Sequence, residues 1–93
     1  MVEYTVEIDL VTFEECNSFF VEITSLLEDN NEVKINFKKV KFISSTAAGR
    51  ILSIQKKIQG TDKKVYIINL RKEIKNILDE LSVIELTENI VYQ

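Results

Sequence analysis

The 93-residue chain has no histidine, no proline and no tryptophan, and its one cysteine is Cys16. Without histidine, Cys–His and Ser–His–Asp nucleophilic catalysis are excluded within this chain. Zinc sites of the His/Cys type are excluded for the same reason, and a lone cysteine forms no internal disulfide. We therefore expect a protein that is not an enzyme and that holds no metal and no other cofactor.

Long apolar runs are absent as well. No run approaches the roughly 20 residues of a membrane span, and no basic and apolar leader is visible. We therefore expect a cytoplasmic protein that does not insert into membranes. The net charge is −3, and the basic groups at residues 38–41 and 56–57 are short and lie near acids. Because nucleic-acid binding usually needs a basic face, we expect no nucleic-acid partner.

What is present is typical of one soluble domain. The chain is 45% hydrophobic and 29% charged, and its length favours a single domain over residues 1–93. Only two glycines punctuate it, Gly49 and Gly60. Secondary structure is therefore predicted from the spacing of apolar residues.

The first half of the chain predicts a strand, a helix and a second strand. Residues 3–10 alternate as in a half-buried strand, with an inner face of Tyr4, Val6, Ile8 and Leu10. Thr12 and Glu15 form a capping-box pattern before a helix over residues 13–28. Its apolar stripe is Cys16, Phe20, Ile23 and Leu27, and we expect the neighbouring Phe19 to be partly exposed. Residues 33–37 alternate again, with an inner face of Val33, Ile35 and Phe37.

The second half continues the alternation of helices and strands. A helix is predicted over residues 46–59, with a buried stripe of Ala47, Ile51, Ile54 and Ile58 and a stop at Gly60. Residues 65–70 are almost continuously apolar, which predicts a central strand buried on both faces. A third helix follows over residues 71–81. A short strand over residues 83–86 comes last, and residues 87–93 remain unassigned.

This order of elements predicts an α/β fold. Helices between strands favour a mainly parallel sheet with right-handed crossovers. The first two strands have polar outer faces that need water, so the helices should gather on one side. We expect a single small domain with a mixed or mainly parallel sheet of about four strands and helices mostly on one face.

The stretch KFISSTAAGRIL, residues 41–52, places three adjacent hydroxyls where a strand-like run meets a helix. One interpretation is structural, because Ser44 or Ser45 as N-cap would accept hydrogen bonds from free helical N–H groups. The other is functional. A phosphate on Ser45 or Thr46 would suit the positive end of the helix and would make a neutral docking surface charged. The small Ala47, Ala48 and Gly49 would let a partner's backbone approach.

The same stretch resembles the signature of STAS domains, which reads roughly Phe-(Ile/Met)-Asp-Ser-(Ser/Thr)-(Gly/Ala)-(Leu/Ala)-Gly and is followed by a helix. Here the signature stands as residues 42–49, FISSTAAG, followed by Ile51 and Leu52. Ser44 replaces the aspartate of the signature. The strand and helix of residues 63–86 are also similar to the family. Compared with it the chain looks truncated, with one strand in place of a first hairpin and a reduced final helix.

The family includes bacterial anti-sigma factor antagonists and cytoplasmic domains of some anion transporters. The resemblance implies a bacterial regulator of transcription that binds a kinase-type anti-sigma factor through residues 44–49. It also implies phosphorylation of Ser45, or of Thr46 if the register slips, which would release the partner. The alternative is a STAS-like subunit that binds the ATPase of an ABC lipid transport system. Either protein would be a monomer or a weak dimer.

Overall fold

The computed structural model describes residues 1–81 and 89–93. Seven elements follow one another along the chain: β1 (Val2–Thr5), α1 (Phe13–Asp29), β2 (Glu32–Asn36), α2 (Ser45–Ile58), β3 (Lys64–Ile68), α3 (Lys72–Glu80) and β4 (Ile90–Tyr92). The strand predicted at residues 83–86 lies outside the described residues. The described fourth strand falls instead in the stretch that sequence patterns left unassigned.

The four strands form one parallel sheet in the order β1-β2-β3-β4. When neighbouring strands are also consecutive along the chain and every crossover is right-handed, the helices that connect them all lie on the same face. The buried core agrees, since the strands contribute alternate residues to it and all three helices contribute their apolar stripes. The predicted α/β fold with helices on one face is confirmed.

The register aligns the inner residues of neighbouring strands. Val33 of β2 lies opposite Val65 of β3, and Ile35 lies opposite Ile67. All four side chains are at most 1% exposed. The expectation that β3 is buried on both faces is wrong, because Tyr66 and Ile68 are only half-buried. None of the described helices packs on the face of the sheet that carries Tyr66 and Ile68. The central strand β3 is therefore only partly covered on that face.

The first strand is shorter than its pattern predicted. β1 ends at Thr5, and the alternation continues as a loop in which Val6 and Leu10 are buried while Ile8 is 52% exposed. The backbone N–H of Val6 still donates to the carbonyl of Asn36. Leu10 then forms an isolated parallel bridge with Ile43. The loop after β1 therefore stays hydrogen-bonded to β2 and to the loop that follows β2, but it does not continue β1 as a strand.

Helix α1 begins with the predicted capping box. The Thr12 hydroxyl accepts from the Glu15 backbone N–H at 3.1 Å, and the Glu15 carboxylate accepts from the Thr12 backbone N–H at 2.9 Å. The hydrogen bonds that the Glu15 carboxylate accepts from the backbone N–H groups of Thr12 and Val11 lower the pKa of the Glu15 carboxyl. The prediction for the phenylalanine pair is wrong: Phe19 is 3% exposed and Phe20 is half-buried. Phe19 packs edge-to-face on Phe37 of the β2–α2 loop, with ring centroids 6.1 Å apart.

The fold raises the pKa values of two tyrosines, and the effect can be measured at alkaline pH. Burial, aided by a hydrogen bond to Glu22, raises the pKa of Tyr4 to about 12. Burial, aided by the charge of Asp79, raises the pKa of Tyr92 to about 12. An unfolded tyrosine titrates near pH 10. Between about pH 10 and 12 the folded state therefore binds more protons, and stability falls as the pH rises through this window.

We predict that the folded protein at about pH 11 shows less tyrosinate absorbance than the same protein in concentrated urea. The Tyr4→Phe and Tyr92→Phe variants should each reduce the loss of stability between about pH 10 and 12, as measured by urea denaturation. Equal tyrosinate absorbance in the folded and unfolded protein would contradict the burial of these phenols.

Candidate functional site

The three adjacent hydroxyls lie where α2 begins, beyond the carboxyl end of β2. Two neighbouring loops meet at this edge of the sheet, one leading from β1 into α1 and the other from β2 into α2. They are joined by backbone hydrogen bonds in which Leu10 N–H donates to Phe42 O at 3.2 Å and Ser44 N–H donates to Leu10 O at 2.9 Å. The start of α2 is therefore held in place by the loop that precedes α1.

Asp9 strengthens this junction. Its carboxylate accepts from the backbone N–H groups of Lys41 at 2.7 Å and Phe42 at 3.2 Å. Lys39 and Glu7 also form an ion pair at 2.7 Å between the same loops. Both of those side chains are more than half exposed, so the pair contributes little to stability. No sequence pattern predicts these backbone contacts of Asp9, because they depend on the meeting of the two loops.

The structure separates the three hydroxyls into two kinds. Ser44 is the N-cap of α2, and its Oγ accepts from the Ala47 backbone N–H at 3.3 Å. The Ser44 Oγ also lies 3.7 Å from the Sγ of buried Cys16. Ser45 and Thr46 occupy the first turn of the helix with exposed side chains. Among the described residues no hydrogen bond involves either of these two side-chain hydroxyls, so both are available to an enzyme or a partner.

The small residues after the hydroxyls have two different roles. Ala47 and Ala48 are at most 1% exposed and pack in the core. Their side chains are thus unavailable to a partner, and they let α2 lie close to the sheet. Gly49 is exposed, and a Cβ built on it meets nothing within 4 Å. Of the predicted docking residues, the structure places Ser45, Thr46 and Gly49 together at the surface.

Large apolar side chains stand in solvent around these hydroxyls. Val11 is 50% exposed, Phe13 is 65% exposed and Phe42 is 64% exposed. We call these three residues the apolar rim. Val11 and Phe42 flank the paired loops, and Phe13 opens α1 beside them. Exposed groups of large apolar side chains are typical of protein interaction surfaces, and the rim was not predicted from the sequence.

Arg50 connects the rim to α2. Its guanidinium carbon lies 5.4 Å from the ring centroid of Phe13 and 5.7 Å from that of Phe20, within the range of cation–π contacts. Its Nε atom is buried and has no hydrogen-bond partner among the residues that the structure describes. Arg50 is four residues beyond Thr46 and therefore shares its face of α2. A positive charge thus lies one turn from the exposed hydroxyls.

A cleft of about 290 Å³ extends the surface from Phe42 toward α3. It runs between the β2–α2 loop and the first turns of α3, and its lining residues are Lys41, Phe42, Ile43, Arg71, Glu73 and Ile77. The cleft and the rim share Phe42, so both can belong to one contact area. Within residues 1–81 and 89–93, no cluster of three or more acidic, cysteine or histidine side chains is arranged to hold a metal ion.

We predict that Ser44→Ala destabilises the protein by about 1 kcal/mol, because the helix loses its N-cap acceptor. Ser44→Asp should keep most of that stability, since aspartate is an equally good N-cap. Ser45→Ala is the matched control and should change stability by less than about 0.5 kcal/mol, as expected of an exposed side chain. Urea denaturation measures all three, and an equal loss in both alanine variants would contradict the separate role of Ser44.

The comparisons with known proteins identify one family. The model of the STAS domain matches residues 2–91, which is nearly the whole chain. A search of curated proteins finds no significant match. In the described part of the chain, no helix combines the length and the apolar character that crossing a membrane requires.

Proposed function

The chain belongs to the STAS domain family, whose members act as regulatory interaction modules, and from this premise we propose that it is an anti-sigma factor antagonist. Its partner is then a kinase-type anti-sigma factor, which it binds through Ser45, Thr46, Gly49 and the apolar rim. STAS domains are generally non-catalytic, and in this proposal the partner does the chemistry. The observation that carries the proposal is the pair of unpartnered, exposed hydroxyls at the signature position.

Phosphorylation of Ser45 is the proposed switch, with Thr46 as the alternative acceptor. The partner kinase transfers the terminal phosphoryl group of ATP to the Ser45 hydroxyl, which loses its proton, and ADP leaves. The product adds nearly two negative charges at the start of α2. No acidic residue lies in the first turn of that helix, and the helix dipole favours an anion there. The modified domain should therefore stay folded.

The same phosphate would expel a partner. In the free protein its oxygens are solvated, but at a docked interface surrounded by the apolar rim they would lose water without a prepared set of donors. Arg50 does not remove this cost, because its guanidinium is already packed on Phe13 and Phe20. Phosphorylation thus changes binding while leaving the fold intact.

The alternative proposal is a STAS-like subunit that binds the ATPase of an ABC lipid transport system. Ser44 favours this alternative, because the aspartate that the family signature has at this position helps to form the site around the phosphorylated hydroxyl in regulated members. The Ser44 side chain is instead committed to the cap and to Cys16. A docking surface of this kind works without any phosphorylation.

The discriminating experiment is affinity purification of the tagged protein from its native cells, with mass spectrometry of the partners and of the peptide that contains residues 44–46. The leading proposal predicts a kinase-type anti-sigma factor and phosphate on Ser45. Recovery of an ABC transporter ATPase with an unmodified peptide would replace it with the alternative.

With the purified partner, we predict that Ser45→Asp weakens binding by at least about tenfold, which corresponds to about 1.4 kcal/mol. Ser45→Ala should bind like the natural protein. Ser18→Asp, which adds the same charge at an exposed position of α1 outside the clefts described, is the matched control and should not affect binding. Isothermal titration calorimetry measures the affinities, and equal binding by both Ser45 variants would contradict the switch.

We also predict that Phe42→Ser weakens the same complex by about tenfold or more, since aromatic side chains that become buried at a protein interface contribute strongly to its affinity. The free energy of unfolding should change little, because the Phe42 side chain is 64% exposed. Leu81→Ser removes another exposed apolar side chain, one at the end of α3, and serves as the control. If both variants bound the partner equally well, the rim would not be part of the interface.

A further inference from the structure

The charges of the chain are strongly separated along its length. Residues 1–31 contain eight of the fifteen acidic residues and none of the twelve basic ones, which gives them a net charge of −8. The remaining residues contain seven acidic and twelve basic residues, a net charge of +5. Since the first stretch comprises β1 and α1, the negative charge belongs to one edge of the sheet and the helix beside it.

A groove runs between these two elements. It has a volume of about 370 Å³, and its walls are Tyr4 of β1 and Val21, Glu22, Ser25, Leu26 and Asp29 of α1. The Tyr4 hydroxyl donates to the Glu22 carboxylate across the groove. Val21 is 53% exposed, and Leu26 is half-buried. The groove therefore combines an apolar wall with two carboxylates and has no basic residue in its lining.

The backbone beside the groove is also unpaired on one side. β1 is the first strand of the sheet order, and within the described residues it pairs with β2 only. An edge strand of this kind presents free N–H and C=O groups that can pair with another extended chain. Natural edges are often protected by lysine, proline or a bulge, and Val2–Thr5 contains neither lysine nor proline.

We infer that this groove docks an extended segment of a partner protein that carries lysine or arginine side chains and adds to the sheet beside β1. Strand addition supplies backbone hydrogen bonds, while pockets beside the strand select alternate side chains. Side chains of the added strand that point toward the helices enter the groove. There an apolar side chain contacts Val21 and Leu26, and a basic one faces Glu22 and Asp29.

Charge decides between this occupant and a second copy of the chain. Pairing β1 of one copy with β1 of another would bring two stretches of net charge −8 together, which like-charge repulsion opposes. A basic segment meets no such repulsion and gains from every carboxylate around the groove. The groove shares no lining residue with the hydroxyl cluster or the apolar rim, so the inference stands or fails independently of the proposed function.

The test uses the whole chain and a short fluorescein-labelled peptide in which every second residue is threonine and the residues between them are alternately lysine and valine, so that one face of the strand carries both lysine and valine. We expect saturable binding by fluorescence anisotropy, weakened by added salt because exposed charges are screened. In amide NMR spectra, the resonances of Val2–Thr5 should shift on titration. Peptides with glutamate in place of lysine, or proline in place of valine, should not bind, because they lack the charge or the strand conformation.

Variants of the chain locate the site. Glu22→Gln combined with Asp29→Asn should weaken peptide binding by about fivefold, the effect of removing two exposed ion pairs. Glu28→Gln is the matched control, since Glu28 belongs to the same helix but lines a different cleft, with Lys57 and Lys63. The Glu28→Gln variant should weaken peptide binding by less than about twofold.

Three results would overturn the inference. The first is absence of saturable peptide binding, and the second is an equal loss in the double variant and in Glu28→Gln. The third is concentration-dependent dimerisation of the free chain, seen by sedimentation and accompanied by shifts of the Val2–Thr5 amide resonances, because it would make a second copy the occupant.

Discussion

The order of the parallel strands, β1-β2-β3-β4, is the constraint on which the other features of this domain depend. With right-handed crossovers throughout, it sends every connecting helix to the same face. The helices then all begin at the carboxyl edge of the sheet, where the loops before α1 and α2 lie side by side. The exposed hydroxyls, the apolar rim and the cleft beside Phe42 all occupy that edge. Among residues 1–81 and 89–93, the same order leaves β1 without a pairing strand on its outer side.

Within this edge, neighbouring residues of similar chemistry have separate tasks because a helix start has a fixed geometry. The residue before the first helical turn points its side chain back at free N–H groups, so Ser44 is used within the fold. The side chains of the next two residues, Ser45 and Thr46, point outward. They are exposed and form no hydrogen bond with the described residues. A serine in place of the aspartate of the STAS signature keeps the cap and removes a negative charge.

The two surfaces described here differ in the physics of recognition. The exposed hydroxyls and the rim residues are uncharged, although the Arg50 guanidinium lies one turn away, and in the proposed function an added negative charge switches this surface. The groove beside β1 is acidic from the start, and a further negative charge would strengthen its preference for a basic segment. Under both proposals, the domain holds one partner under the control of phosphorylation and another by charge. The net charge of −3 does not show that the negative charge is concentrated in residues 1–31. Counting the charges of those residues alone shows it.

The sequence by itself determined most of the elements and the family. Period-two and helical spacing located three strands and three helices to within a few residues, except that β1 ends at Thr5 rather than at residue 10. The capping box at Thr12 and the stripe of α2 were also predictable, because both depend on neighbours along the chain. Residues 42–49 carried the resemblance to STAS domains.

Tertiary structure decided what depends on distant residues. Phe19 rather than Phe20 is buried because Phe37 of another loop meets it. Ile8 is 52% exposed because β1 ends at Thr5, so the strand alternation that would bury it does not continue through the loop. The role of Asp9, the burial of Ala47 and Ala48, and the gathering of Val11, Phe13 and Phe42 likewise follow from contacts between loops and helices. No local pattern encodes them, because each residue's environment is supplied by another part of the chain.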